Sequence, residues 1–246
     1  MKKKESIKVY WAPVAGQQED AAMRNILYKD PINVLDDVSK LKNRDVGTDS
    51  YLFCPAYKVV TENMFYLESP SRSEFIYHES PAAGEWPGLQ GTGLGGDIPR
   101  GPSLIDHRLL RFSMGYIFFA EEPLLMELTP PYLHETEAAK YGKVVPGQFD
   151  VGKWFRAITL EYELNAGVTE LKIEKDEPMA YVRFMTDRPV ELVRFDLTDR
   201  IRKIADSCVQ TPVTFGRFKP LQDRYDKFMG SRSNELALKY IKENLL

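Results

Sequence analysis

The chain is poor in the residues that build metal and disulfide frameworks. Its 246 residues include two cysteines, Cys54 and Cys208, and three histidines, His78, His107 and His134. The cysteines lie far apart, and free thiols in a reducing compartment are the expected state. No C-x-x-C, H-x-H or H-E-x-x-H spacing occurs, which argues against a structural zinc site. A metal held by carboxylates alone leaves little trace in spacing, so the sequence leaves it open. A surplus of one charge is also missing. Lys+Arg 33 against Asp+Glu 36 leaves a net −3, so nothing points to general nucleic-acid binding. No apolar run approaches the roughly 18–20 residues of a membrane span. The opening Met1-Lys2-Lys3-Lys4 is basic but has no apolar segment after it, unlike a secretory signal. The expectation is a protein that is neither secreted nor in a membrane.

What is present is an ordinary globular composition, 43% hydrophobic and 12% aromatic. Ile7 to Trp11 alternates and reads as a strand, ended by Pro13 and Gly16. Val34, Leu35, Val38 and Leu41 predict a helix over Asn33–Leu41. Leu52–Cys54, Asn63–Leu67 and Glu74–Tyr77 read as strands. Residues 80–102 are crowded with glycine and proline and read as a long loop or joint. Within it, Gly91-Thr92-Gly93-Leu94-Gly95-Gly96 lacks the Lys-Ser/Thr of a phosphate loop and the flanking elements of a dinucleotide fingerprint.

The stretch from Leu109 to Phe195 carries the clearest pattern. Gly115–Ala120, Leu124–Leu128, Glu170–Ile173, Met179–Phe184 and Val190–Phe195 read as strands. Ile158–Leu164 alternates cleanly, with Thr159, Glu161 and Glu163 on a wet face. Leu197, Ile201, Ile204 and Cys208 follow at helical spacing. A last helix spans Asn234 to Leu246, with Ser233 as its N-cap and an apolar stripe for the core or for a homo-oligomer seam. The fold class expected is mainly β (α+β): an antiparallel β-sandwich or β-clip-like core over 103–196. An N-terminal α+β region (1–79), the Gly/Pro-rich loop (80–102) and C-terminal helices (197–246) complete one compact unit.

Candidate chemistry gathers between Thr129 and Arg156, a loop region rich in aromatics on a β scaffold. His134 is the candidate base and Asp150 the candidate that orients water. Arg156 and Lys153 are candidates to hold an oxyanion. Tyr132, Tyr141 and Trp154 are the candidate ligand-binding aromatics. Each has a structural alternative: Trp154 and Phe155 as core aromatics, Asp150 as the cap of a turn, Arg156 as a partner of Glu161 or Glu163, His134 as a satisfied loop histidine. A cupin-like oxygenase is disfavoured, because the histidines stand in separate segments.

Two resemblances add to this. The string Phe118-Phe119-Ala120-Glu121-Glu122-Pro123, Thr129-Pro130-Pro131-Tyr132, Pro146–Arg156 and Glu177–Pro189, with the opening Lys8–Pro13, resembles a family of uncharacterised proteins from tailed phages of marine bacteria, cyanophages among them. It implies a viral protein of the infected cell or the virion, with no established activity. Pro146-Gly147-Gln148-Phe149-Asp150 with Asp176–Phe184 is similar to the core of the dUTPase and dCTP deaminase family, which has a β-clip fold. By that resemblance Asp150 would activate water and Trp154 would stack on a sugar, with Mg²⁺ as cofactor. The family's Arg-Ser-Ser phosphate element has no counterpart here. The first reading is thus a viral accessory or structural protein that binds a protein partner or small ligand. The second is a nucleotide-binding or nucleotide-hydrolysing enzyme.

Overall fold

The computed structural model describes residues 4–14, 26–42, 54–78, 88–97, 108–209 and 221–246. The fold is mainly β with helices on both outer sides, and it is sandwich-like. One six-stranded sheet holds β1 (Ile7–Pro13), β6 (Gly96–Asp97), β7 (Leu109–Ala120), β9 (Gly142–Val144), β11 (Ala157–Leu164) and β14 (Val190–Arg194), in the order β14-β1-β7-β11-β9 with β6 beside β7. A second sheet holds β2 (Ile32–Asn33), β3 (Met64–Glu68), β8 (Leu125–Thr129), β10 (Gly147–Asp150) and β13 (Pro178–Phe184), in the order β10-β8-β13-β3-β2. A third joins β12 (Glu170–Ile173), β4 (Ser73–His78) and β5 (Gly88–Thr92). The pairing is antiparallel except for β1 with β14, which is parallel.

The main core lies between the first sheet and the other two. Val9, Trp11, Phe112, Phe118, Leu160 and Tyr162 meet Leu67, Phe75, Leu128, Leu171, Val182 and Phe184 there. The opposite face of the first sheet is covered by α3 (Asp199–Val209), α4 (Leu221–Gly230) and α5 (Ser233–Glu243), which bury Tyr10, Ala12, Ile117 and Phe119 against Ile201, Phe228 and Ile241. The outer face of the second sheet carries α1 (Val34–Lys42), whose Val34 and Val38 pack on Met64, Tyr66 and Tyr181. Asn33 caps α1, its side-chain oxygen accepting the Asp36 N–H at 3.1 Å.

This layering explains the run of residues in β7. Leu110, Phe112 and Met114 face the core and alternate with less buried neighbours, because that end has one covered face. From Gly115 to Ala120 every residue is buried, because helices cover the other face too. Between the two parts the register shifts: Ala157 pairs with Ile117 but Thr159 with Ser113. Gly115 makes this bulge at φ 67°, and a Cβ there would overlap the Tyr28 ring.

Several expectations need correction. Cys54 is not in a strand; it precedes α2 (Pro55–Thr61) at its N-terminus, while Leu52 and Phe53 lie outside the described residues. The glycine-rich stretch is not all loop. β5 pairs with β4 through Gly91, where a Cβ would overlap the Glu74 carbonyl, and β6 pairs with β7. The absence of side chains that hides a strand from periodicity is what lets this one approach. Ser233 is the first residue of α5, and the cap position belongs to Arg232 at φ 57°. The N-terminal strands β1, β3 and β4 are members of the same sheets as the strands after residue 108.

Candidate functional site

The chain crosses from the first sheet to the second at Val145–Pro146 and returns after Asp150. Asp150 builds the return. Its Oδ1 accepts the backbone N–H groups of Leu124 and Gly152, each at 3.0 Å. Its carbonyl accepts those of Lys153 at 3.0 Å and Trp154 at 2.8 Å, and Lys153 Nζ stands 3.4 Å from Oδ2. The carboxylate therefore holds a turn, as Asp does where its oxygens satisfy nearby N–H groups.

The turn delivers Trp154 and Arg156 to the edge of the sandwich. Phe155 between them points inward and is fully buried against Phe119, ring centroids 4.7 Å apart. Trp154 lies against Tyr225 at 4.5 Å, and the Arg156 guanidinium carbon sits 4.6 Å over the same indole. Two groups at that range cannot share one ring face, so the indole supports the guanidinium and has no bare face for a planar ligand. Among the described residues Arg156 has no carboxylate partner. Glu161, which the sequence offers as one, accepts Arg111 Nε at 2.7 Å instead, and Glu163 pairs with Lys143 at 3.2 Å. Glu161 Oε2 is buried without a hydrogen-bond partner among the described residues. These groups line a groove of about 420 Å³, with Arg111, Arg156 and Glu161 as its charged side chains and Leu128, Phe149 and Trp154 among its apolar ones.

His134 belongs to a different centre. Tyr181 Oη accepts the Leu133 N–H at 3.1 Å and lies 2.5 Å from His134 Nδ1. Asp37 Oδ2 lies 3.3 Å from Nε2. A carboxylate only accepts, so Nε2 is the nitrogen that donates toward Asp37, while Nδ1 faces the Tyr181 hydroxyl. The Tyr66 ring stands 5.0 Å from the imidazole, its phenol pushed up to about 12 by burial first and then by the Asp37 charge. Both imidazole nitrogens are thus engaged, and His134 ties α1 to the second sheet. It borders a cleft of about 510 Å³ that also has Pro130, Tyr132, Lys140, Lys143 and Met179 on its walls. Tyr132 is exposed at its mouth.

The structure therefore brings Asp150, Lys153, Trp154 and Arg156 together in one turn. It places Tyr132 and His134 in a second cluster. Tyr141 stands apart, donating to Glu137 Oε1 at 3.2 Å. Asp37, Tyr66, Tyr181 and Arg111 come from strands and a helix remote in sequence, and no local motif marks them. Among the described residues no three His, Cys, Asp or Glu side chains converge as metal ligands, and no helix is long and apolar enough to cross a membrane. No protein-family model matches the sequence, and a search of curated proteins returns no significant match.

Proposed function

We propose that the protein acts by binding, with the groove beside Trp154 as its contact site, and that it is an accessory or structural protein of a virus, as the phage resemblance implies. The observation that supports the binding reading is Arg156: a half-buried guanidinium held on an indole, without a carboxylate among the described residues, facing an open groove. Stacking fixes the plane of the guanidinium and leaves its N–H fork to an incoming oxyanion. Aromatic and arginine side chains placed so are the usual anchors of binding surfaces.

The second reading, nucleotide hydrolysis, has Asp150, Lys153, Trp154 and Arg156 within one turn in its favour. Against it, the Asp150 carboxylate is engaged in the turn, Oδ1 accepting two N–H groups and Oδ2 facing Lys153 Nζ at 3.4 Å.

Thermal denaturation in increasing citrate or inorganic phosphate, at constant ionic strength, tests the first reading. A ligand at 100 times its Kd adds about 2.7 kcal/mol, several degrees in a chain of this size. The expected rise in Tm disappears in Arg156→Ala and persists in Lys153→Ala. Equal rises in wild type and Arg156→Ala overturn it. Hydrolysis of a deoxynucleoside triphosphate with Mg²⁺, lost in Asp150→Asn without loss of stability, would install the second reading instead.

A further inference from the structure

The groove runs along a stretch of strand edge that no strand among the described residues uses. On one side β11 pairs with β7 over its whole length. On the other, Val145 N–H donates to the Glu161 carbonyl and Asn165 N–H to that of Tyr141, both at 2.8 Å. The odd-numbered residues of β11 therefore turn their backbone groups toward β9. But β9 ends at Val144, and Pro146 leads the chain away to β10. Beyond Glu161 no strand among the described residues pairs with this edge of β11. The N–H and C=O of Thr159 face that side by the same alternation.

The side chains along this edge have a pattern of their own. Ile158 and Leu160 point into the core, while Thr159 and Glu161 point to the opposite face, where Arg111 stands across from Glu161. The groove also has Leu128 and Phe149 on its apolar wall and Arg156 as its unbalanced cation. A strand laid on the edge would turn alternate side chains to these two surroundings.

We propose that β11 accepts an extended peptide of a partner protein by strand addition, with apolar residues alternating with polar ones and an acidic side chain set against Arg156. This rests on the binding reading above and names its partner. Main-chain hydrogen bonds to Thr159 give the hold, as in other additions to a sheet edge. The apolar set covers Phe149, which is only partly buried. The acid neutralises Arg156. Charge argues for this occupant: Arg111 is already balanced by Glu161, so among the described residues the groove carries one uncompensated positive group, Arg156.

The test is fluorescence anisotropy with a labelled, end-capped hexapeptide, Val-Thr-Val-Glu-Val-Thr, on the full chain. A Kd on the order of 10–100 µM is expected, as a short edge with few anchors allows. Replacing the peptide's Glu by Lys, or using Arg156→Ala or Arg156→Gln, should weaken it about tenfold or more. Two N-methylated peptides carry the decisive comparison: one methylated on the valines, one on the other residues. Pairing through a single edge uses one set of N–H groups, so one version should lose binding and the other keep it. Equal binding of both overturns strand addition, as does no binding of the parent peptide. If citrate or phosphate still raises Tm through Arg156, the binding reading survives that failure; if it does not, both fall. A dimer in sedimentation equilibrium that needs Arg156 and no peptide would put a second copy on the edge and overturn the proposed partner.

Discussion

Tyr181→Phe isolates what the His134 cluster does. The substitution keeps the buried ring and removes one hydroxyl. That hydroxyl accepts from Leu133 N–H at 3.1 Å and pairs with His134 Nδ1 at 2.5 Å. Each hydrogen bond contributes about 0.5–1.5 kcal/mol net, and partners left unsatisfied in a partly buried site raise the cost. The expected loss is about 2 kcal/mol, or roughly 4–8 °C in Tm for a chain of this length. Urea denaturation of wild type, Tyr181→Phe, Asp37→Asn and the double variant measures it. Because Asp37 reaches Tyr181 through His134, the two losses should fall short of additivity by about 0.5 kcal/mol or more. If His134 is a clamp, the oxyanion response at the Trp154 groove stays as in wild type. A loss under about 0.5 kcal/mol with additive effects would refute a structural cluster.

Three further outcomes follow from the layers. Phe119→Ala empties the contact with Phe155 and Phe228 under the C-terminal helices and should cost about 3–5 kcal/mol in chemical denaturation. Gly115→Ala should lower Tm by several degrees, because of its positive φ and the Tyr28 ring, while Gly95→Ala, with open space around it, should leave Tm near wild type. Glu121 is held below the ordinary glutamate range, first by the Tyr10 hydroxyl at 2.5 Å and then by Lys242. A depressed carboxylate contributes stability above its unfolded pKa of about 4.3 and loses it as pH falls through the lower folded value. Glu121→Gln should therefore melt with a flatter pH dependence on the acid side, read from Tm between neutral and acid pH.

Much of the strand list is legible before any coordinates, because alternation registers a strand with one covered face. Ile158–Leu164 reads correctly for that reason, and β11 alternates residue by residue in burial. β5 escapes, since Gly88, Gly91 and Thr92 present no apolar period; its place comes from pairing with β4. The α2 helix escapes because its flank, Leu52–Cys54, looks strand-like by composition. Of the site, the neighbourhood of Asp150 with Trp154 and Arg156 is visible, as one turn spans them. The roles are not: whether Asp150 meets solvent or the N–H groups of Leu124 and Gly152 depends on a strand end 26 residues away.

The sequence by itself determines a β-rich globular chain with helices at its end, because hydrophobic period, turn residues and helical stripes are local properties. It also places the aromatic and charged residues near 150 within reach of one another. The tertiary structure alone decides which groups are satisfied. Arg111 takes Glu161 and leaves Arg156 on the indole; Tyr181 and Asp37 take both nitrogens of His134; and after the departure of the chain at Pro146 no strand among the described residues pairs with the far end of the β11 edge. Each is a long-range competition for a hydrogen bond or a counter-charge. Such competitions are settled by which strands become neighbours, and no local pattern encodes their outcome.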